Sequence, residues 1–251
     1  METILSLKEI YKSFDDNHVH QGVNFDLHKG ESLGLLGGSG TGKSVLLRSI
    51  IGLETIDKGE ILYKGRDISL LSEKEYLSVR LNISYSFQNG ALFDSLNIFE
   101  NLAFPLIEHT KQTIEQIREK IKYFLNLIGL AGKELLMPSD LSGGMQKRVG
   151  MARSMMLEPD IILYDEPTAG LDPANTKNIV NLMKKFKAEG QTSIFVTHDI
   201  PAALDLCDRI IVLGGGKVIF KGTPIEFLSS EDPDVQKFAE SELKKGKEYD
   251  S

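Results

Sequence analysis

The 251-residue chain has a single cysteine, Cys207, and no long apolar run. One thiol cannot form an internal disulfide, and this usage fits a reducing compartment. We assign Cys207 no role beyond that of a small buried side chain. A membrane-spanning helix needs about 18 apolar residues in succession, and no stretch approaches that length. The opening METILSLKEI is alternating and charged, unlike a signal peptide, so we expect a cytoplasmic protein.

Positive charge is also in short supply. Lys and Arg number 29 against 36 Asp and Glu, which leaves a formal charge of −7. This balance disfavours a general nucleic-acid binder, and we expect no nucleic-acid partner. The sequence shows neither an internal repeat nor sustained heptads, which argues against two copies of one domain and against a long coiled coil.

A glycine-rich stretch organises the first part of the chain. Gly37–Ser44 reads GGSGTGKS and fits the pattern G-x-x-x-x-G-K-[ST]. The apolar run Ser32–Leu36 predicts a strand before it, and Ser44–Gly52 predicts an amphipathic helix after it. Such a loop cradles phosphates with backbone N–H groups, while Lys43 reaches the β- and γ-phosphates and Ser44 ligates Mg²⁺. The predicted phosphate-binding residues are Gly37, Gly38, Ser39, Gly40, Thr41, Gly42, Lys43 and Ser44.

An acidic pair follows a second apolar run. Asp160–Tyr164 predicts a buried parallel strand that ends at Asp165 and Glu166, where α/β sheets place their ligands. Asp165 can complete the Mg²⁺ shell opposite Ser44, and Glu166 is placed to accept a proton from an attacking water. The alternative for this pair is a solvated turn.

A second candidate anion site lies upstream of the acidic pair. Leu141–Gln146 reads LSGGMQ, in which Ser142 is a natural N-cap. Gly143 and Gly144 would let an anion approach the first backbone N–H groups of the helix. Standing alone, this segment would be an ordinary capped helix.

Taken in order, these motifs resemble the nucleotide-binding subunit of an ABC transporter over about residues 1–222. The resemblance rests on GGSGTGKS, Gln88, LSGGM, IILYDEP, AGLD and His198. It implies a homodimer in which each ATP lies between the phosphate loop of one copy and the LSGG helix of the other. Met145 stands where Gln is usual and Gly38 where Pro is common, but neither change removes a backbone donor.

The resemblance also implies residue roles. Phe14 stacks on adenine, although the family more often has Tyr and Tyr11 is nearby. Gln88 contacts Mg²⁺ and the attacking water. Asp172 lies in the turn that crosses the dimer interface, and Ser142, Gly143 and Gly144 clamp the γ-phosphate of the partner copy. Lys43, Glu166 and His198 form the catalytic set, in which Glu166 is the general base and His198 holds it and bonds the γ-phosphate.

The implied fold is an α/β P-loop NTPase core of the RecA-like type, with an antiparallel β edge and an inserted helical subdomain. We expect one domain over residues 1–251. Its core covers 1–88 and 159–222, its helical subdomain 89–158, and a helical extension with a charged tail 223–251. Glu2–Ile10 and His20–Leu27 predict edge strands, and Asn89–Leu106 predicts a loop-rich stretch.

The stretch after Gln88 further resembles the ATPases of Mla or MCE-type lipid transport systems, through FQNGALF, FPL, EHT, LMPS and DPD. This implies an ATPase, using ATP and Mg²⁺, that moves phospholipids between inner and outer membranes and maintains outer-membrane lipid asymmetry. It would be peripheral on the cytoplasmic face of the inner membrane. The implied partners are integral permease subunits, a periplasmic MCE lipid-binding protein and, in some systems, a small STAS-domain subunit.

Other cargoes and other classes stay open at this point, because one fold serves many functions. An ABC importer or exporter for another substrate, such as an amino acid, shares the same motifs. A non-transport ABC protein acting on ribosomes or DNA usually has two cassettes or a coiled-coil insertion. A P-loop kinase would leave the LSGGM helix without a role.

Overall fold

The computed structural model describes residues 2–88 and 90–248. The first part contains β1 (Thr3–Phe14), β2 (Asn17–His28), β3 (Ser32–Gly37), α1 (Lys43–Ile50), β4 (Lys58–Tyr63), β5 (Arg66–Asp67), α2 (Glu73–Arg80) and β6 (Ile83–Ser86). Three α-helices follow, α3 (Ile98–His109), α4 (Ile114–Leu127) and α5 (Gly143–Met155), with a 3₁₀ turn at Pro138–Asp140 before α5. The rest contains β7 (Ile161–Asp165), α6 (Pro173–Ala188), β8 (Thr192–Val196), α7 (Ile200–Leu206), β9 (Arg209–Gly214), β10 (Lys217–Gly222), α8 (Pro224–Leu228) and α9 (Pro233–Glu248). Within the described residues, none of the helices is both long and apolar enough for a membrane span.

Two sheets form the centre of the protein. The larger has the order β10-β9-β3-β8-β7-β6, and only its edge strand β10 runs antiparallel to its neighbour. The smaller sheet, β2-β1-β4-β5, is antiparallel throughout. Parallel strands end at a common edge, so the residues that follow β3, β6, β7 and β8 are brought together there.

The larger sheet is a middle layer, because each of its faces packs on a different apolar cluster. Leu33 and Leu35 of β3 pack with α1 and the antiparallel sheet on one face, whereas Leu36 packs with the helices on the other face. Covered on both faces, β3, β7 and β8 are almost wholly buried, which explains their continuous apolar runs. Cys207 is buried in the helical cluster, as expected.

The predicted loop over Asn89–Leu106 is wrong from Ile98 onward, where α3 begins. Asn97 caps this helix and forms a capping box with Glu100. Pro105 lies inside α3, which is held on the core by buried side chains such as Leu102 and Leu106. Asn89 itself lies outside the described residues. The division of the chain at residues 88 and 159 stays a prediction.

The helical extension predicted within 223–251 contains α9, which continues to Glu248 and so includes most of the charged C-terminal residues. Val235, Phe238 and Ala239 recur at helical spacing on one face and pack on the helical core. Residues 249–251 of the predicted tail lie outside the described part of the chain.

A buried ion pair joins the two sheets. Arg209 of β9 donates to both carboxylate oxygens of Glu31 at 2.7 and 3.0 Å, and also to the carbonyl oxygen of Asp26 in β2. The side chains of Arg209 and Glu31 are 17% and 7% exposed. The pair therefore ties the antiparallel sheet to the strand beside β3.

We predict that Arg209→Met lowers the free energy of unfolding by about 3 kcal/mol, because it leaves the carboxylate of Glu31 buried without its cation. Urea unfolding measures this loss. The double variant Arg209→Met with Glu31→Gln removes the stranded charge and should recover part of the loss. An equal loss in both variants would show that the uncompensated charge is not the cause.

Candidate active site

The loop between β3 and α1 is built so that only glycine fits at several positions. Gly40 and Gly42 have φ angles of 77° and 90°, which favour glycine. A Cβ on Gly37 would lie 2.6 Å from the carbonyl oxygen of Leu213, and one on Gly42 would lie 2.5 Å from a ring carbon of His20. The loop is thus closely seated on β9 and β2, with α1 beginning directly after Gly42.

The amine of Lys43 is folded back onto this loop. Its Nζ donates to the carbonyl oxygens of Gly37 and Gly38 at 2.8 and 3.0 Å, and the residue is only 7% exposed. Burial lowers the pKa of Lys43, while the nearby carboxylates of Glu166 and Asp165 act in the opposite direction. A phosphate oxygen offers this amine a stronger, charged acceptor than the two carbonyls.

Ser44 and Asp165 meet as predicted. The Ser44 hydroxyl donates to Oδ1 of Asp165 at 2.7 Å, across 121 positions of sequence. The Tyr85 hydroxyl donates to the other carboxylate oxygen. The pKa of Tyr85 is raised, chiefly by burial and to a smaller extent by this hydrogen bond. A hydroxyl beside an oriented carboxylate is the donor set that Mg²⁺ takes from proteins when phosphates supply the rest. These residues therefore fit the implied metal.

Glu166 and His198 also lie together at the sheet edge. Nδ1 of His198 is 2.9 Å from Oε2 of Glu166, whose side chain is 17% exposed. The pKa of His198 is raised, chiefly by its hydrogen bond to Glu166, whereas burial acts to lower it. Glu166 has a φ of 50°, an uncommon conformation for a side chain of this size. The imidazole and the carboxylate are thus close enough to interact at the end of β7.

The two aromatic candidates for base stacking lie in different surroundings. Phe14 ends β1, is 41% exposed and contacts the amine of Lys12 on the same face of the strand. Tyr11 contacts Lys58 and lies beside Gly22, on the opposite face of β1 from Lys12 and Phe14. Phe14 therefore has the better position. Gln88 is exposed and follows β6 at the edge where Asp165 ends β7.

His20 is a site residue that the sequence did not reveal. It is 1% exposed, its ring lies against Gly42, and neither ring nitrogen has a hydrogen-bond partner among the described residues. Burial lowers its pKa to about 4. The alternation of β2 predicts an inward-facing side chain at this position but does not show that it supports the glycine loop.

The LSGG corner is formed separately, at the start of α5. Ser142 accepts the N–H of Met145 at 3.3 Å, and both Ser142 and Gly143 are exposed. Gly144 is buried. It packs so closely on α6 that a Cβ there would lie 2.8 Å from the Asn175 amide oxygen. Asn175 also donates to Asp172, the N-cap of α6, through its backbone and its side chain. The corner and the Asp172 turn are therefore neighbours, joined by a residue the sequence did not single out.

Lys147 connects this corner to the acidic edge. Its amine donates to the carbonyl oxygen of Ala169, in the turn that follows Glu166. Burial lowers the pKa of Lys147, and the charge of Glu166 opposes that shift. The start of α5 is thus hydrogen-bonded to the turn beside Glu166.

A phosphate cradle, an acidic pair at a neighbouring strand end and an exposed glycine corner define a P-loop nucleotide hydrolase with two anion-binding elements. Residues 20–169 match the ABC transporter family. The chain belongs to that family and is an ATP-binding and ATP-hydrolysing cassette. This confirms the predicted fold class and excludes the kinase alternative.

Solved structures of cassettes agree with this fold. A dimeric, post-hydrolysis ATP-binding cassette bound to ADP and Pi aligns with a TM-score of 0.80 and 31% identity, covering 88% of this chain and 99% of that one. The cbiO1 protein of Clostridium perfringens, part of the ABC transporter complex cbiONQ, aligns with a TM-score of 0.84 and 31% identity, covering 92% of each chain.

Three relatives match almost the whole chain. The intermembrane phospholipid transport ATP-binding protein MlaF of Haemophilus influenzae is 38% identical, over 96% of this chain and 92% of its own length. The chloroplastic protein TRIGALACTOSYLDIACYLGLYCEROL 3 of Arabidopsis thaliana is 37% identical, over 96% of this chain and 75% of its own length. The probable ribonucleotide transport ATP-binding protein mkl of Mycobacterium leprae is 41% identical, over 95% of this chain and 69% of its own length.

His20 should make the protein sensitive to acid. Between pH 6.5 and about 4 the unfolded chain binds a proton at this imidazole that the folded chain excludes, so stability is lost as the pH falls. We predict that lowering the pH from 7.5 to 5 costs the wild type about 2 kcal/mol more than His20→Leu. Urea unfolding at the two pH values measures the difference. The exposed His109→Leu is the control, and an effect of equal size there would refute the assignment.

Proposed function

We propose that this ATPase drives phospholipid movement between the inner and outer membranes of a diderm bacterium, and so maintains the lipid asymmetry of the outer membrane. The observation that carries the proposal is the likeness to MlaF, which extends over 96% of this chain and 92% of MlaF. The Arabidopsis relative is named for a glycerolipid as well. The mycobacterial relative is named for ribonucleotide transport, so that cargo is included in the test below.

The site suggests how each residue acts on ATP. The Gly37–Ser44 loop holds the phosphates, and the amine of Lys43 exchanges its carbonyl partners for phosphate oxygens. Ser44, Asp165 and Gln88 would hold Mg²⁺, which neutralises phosphate charge when bound. Glu166 accepts the proton of the attacking water, and His198 keeps its carboxylate in place. Phe14 stacks on the adenine ring.

The pocket is completed by a second copy of the chain. Ser142 and Gly143 are exposed at the N-terminus of a helix, where backbone N–H groups favour an anion. In a head-to-tail homodimer they face the γ-phosphate held by the partner's loop, with Gly144 behind them and Asp172 at the interface. ATP binding closes the pair, and loss of phosphate removes the shared ligand and reopens it.

A groove between β6, α3 and α5 is the proposed docking site for the integral permease. Phe87, Phe93 and Phe104 line it and are each almost half exposed, with the rings of Phe93 and Phe104 5.1 Å apart. Arg153 lies over the Phe93 ring and donates to the Ala91 carbonyl oxygen. An amphipathic permease helix fits such a groove. This would hold the ATPase on the cytoplasmic face of the inner membrane, below a periplasmic MCE lipid-binding protein and, in some systems, beside a STAS-domain subunit.

Replacing the proposed base should separate binding from turnover. We predict that Glu166→Gln lowers the ATP hydrolysis rate by at least about 100-fold, because the amide cannot accept the proton. The variant should still bind ATP and should form a longer-lived dimer. Steady-state phosphate release and size-exclusion chromatography with ATP measure the two effects. Hydrolysis at the wild-type rate would contradict the role given to Glu166.

Cargo and permease can be tested together by purifying the chain from bacterial membranes. We predict that wild type retains an integral membrane protein, and that lipid extraction of the complex yields phospholipid rather than ribonucleotide or amino acid. Phe104→Ser should lose the membrane protein, because it removes an apolar wall of the groove.

The control is Ile225→Ser, which changes a 78% exposed side chain on α8, a helix that packs on β9 and β10. This variant should keep the membrane protein. A complex that survives Phe104→Ser would place the permease elsewhere, and a complex carrying a small solute without phospholipid would reject the proposed cargo.

A further inference from the structure

Phe14 lies against a buried cation. The Lys12 amine is 4.7 Å from the centroid of the Phe14 ring, although Lys12 itself is only 6% exposed. Lysines are seldom buried to this degree unless they are paired. The ring covers the amine on one side and, being 41% exposed, leaves the rest of its surface open to a ligand.

The turn after α1 holds this amine in place. Nζ of Lys12 is 3.0 Å from a carboxylate oxygen of Glu54 and 3.9 Å from one of Asp57. Asp57 further accepts the backbone N–H of Ser13 at 2.6 Å and donates its own N–H to the carbonyl oxygen of Tyr11. The end of β1 is therefore fixed on both sides of Lys12, and the amine has little freedom to leave the ring.

The same strand face leads to the phosphate loop. Lys12 is directly opposite His20 in the β1–β2 register, and the ring of His20 lies against Gly42. From the other direction, α1 begins at Lys43 in the loop and ends seven residues later, shortly before Glu54. Two short connections thus link the end of β1, which carries Phe14, to the loop.

We propose that Lys12 is a positioning residue that orients the Phe14 ring for a purine base, and that Glu54 keeps its amine under the ring. The inference rests on the proposed stacking role of Phe14 and extends it. A cation against one face of an aromatic ring attracts its π electrons and restricts its rotation. The ring then offers adenine a pre-oriented and more electron-poor surface, which favours stacking with an electron-rich base.

The test compares ATP with tripolyphosphate, which has the phosphates but no base, by calorimetric titration of the full chain. Lys12→Met should weaken ATP binding about three- to tenfold, the range expected from loss of a partly desolvated cation–π contact. Tripolyphosphate binding should not change. Lys12→Arg, which keeps a cation at the ring, should restore most of the ATP affinity.

Lys58→Met is the matched control, because Lys58 also lies over an aromatic ring of β1, at 5.3 Å from the Tyr11 centroid, on the other face. It should leave ATP affinity unchanged. Lys12→Met leaves Glu54 without its cation, so the double variant with Glu54→Gln is measured too, and thermal unfolding confirms that each variant is folded. The double variant should show the same selective loss of ATP affinity.

Phe14→Ala separates this inference from the role it rests on. Phe14→Ala should weaken ATP binding, and adding Lys12→Met should then weaken it no further, because the two residues act through one contact. Additive losses, or an equal loss for tripolyphosphate, would overturn the positioning role of Lys12 alone. If Phe14→Ala leaves ATP affinity intact, the stacking role fails and the inference fails with it.

Discussion

The hydrogen bonds from the Lys43 amine to the carbonyl oxygens of Gly37 and Gly38 are the interaction on which the site depends. They satisfy a buried cation and fix its amine against the backbone of the loop. The loop is pressed against β9 and β2 so closely that a side chain on Gly37 or Gly42 would collide with its neighbours. The shape of the loop is therefore set by the neighbouring strands as well as by its own residues.

A loop of this kind contacts a nucleotide on one side only. The second anion-binding element, at Ser142, is exposed, and it is tied to the rest of the chain by Asn175 and Lys147. Through these two residues, the corner contacts the turn beside Glu166. The corner is also the part that would meet a second copy. If the corner binds a second copy, as proposed, these contacts would connect that binding to the position of Glu166, the proposed base.

Much of this site could be predicted from the sequence, because its main elements are local. The Gly37–Ser44 loop, the acids after β7 and the cap of α5 each carry their chemistry within a few residues. The site residues that could not be predicted from the sequence are those that depend on contacts between distant segments. Tyr85 reaches Asp165 across 80 positions, and His20 supports Gly42 from another sheet, while each reads in its own strand as an ordinary inward-facing residue. The helix α3 was missed because the Asn97 cap was not recognised within a continuous apolar stretch.

The central claim is that each ATP pocket is completed by a second copy, and cysteine cross-linking tests it most directly. Ser39 in the loop and Ser142 at the corner are both exposed, and the native Cys207 is buried. A chain carrying Ser39→Cys, Ser142→Cys and Glu166→Gln would be oxidised with and without ATP and run on a non-reducing gel. The account predicts a disulfide-linked dimer that forms only with ATP. An ATP-dependent disulfide within one chain, or no cross-link at all, would contradict it.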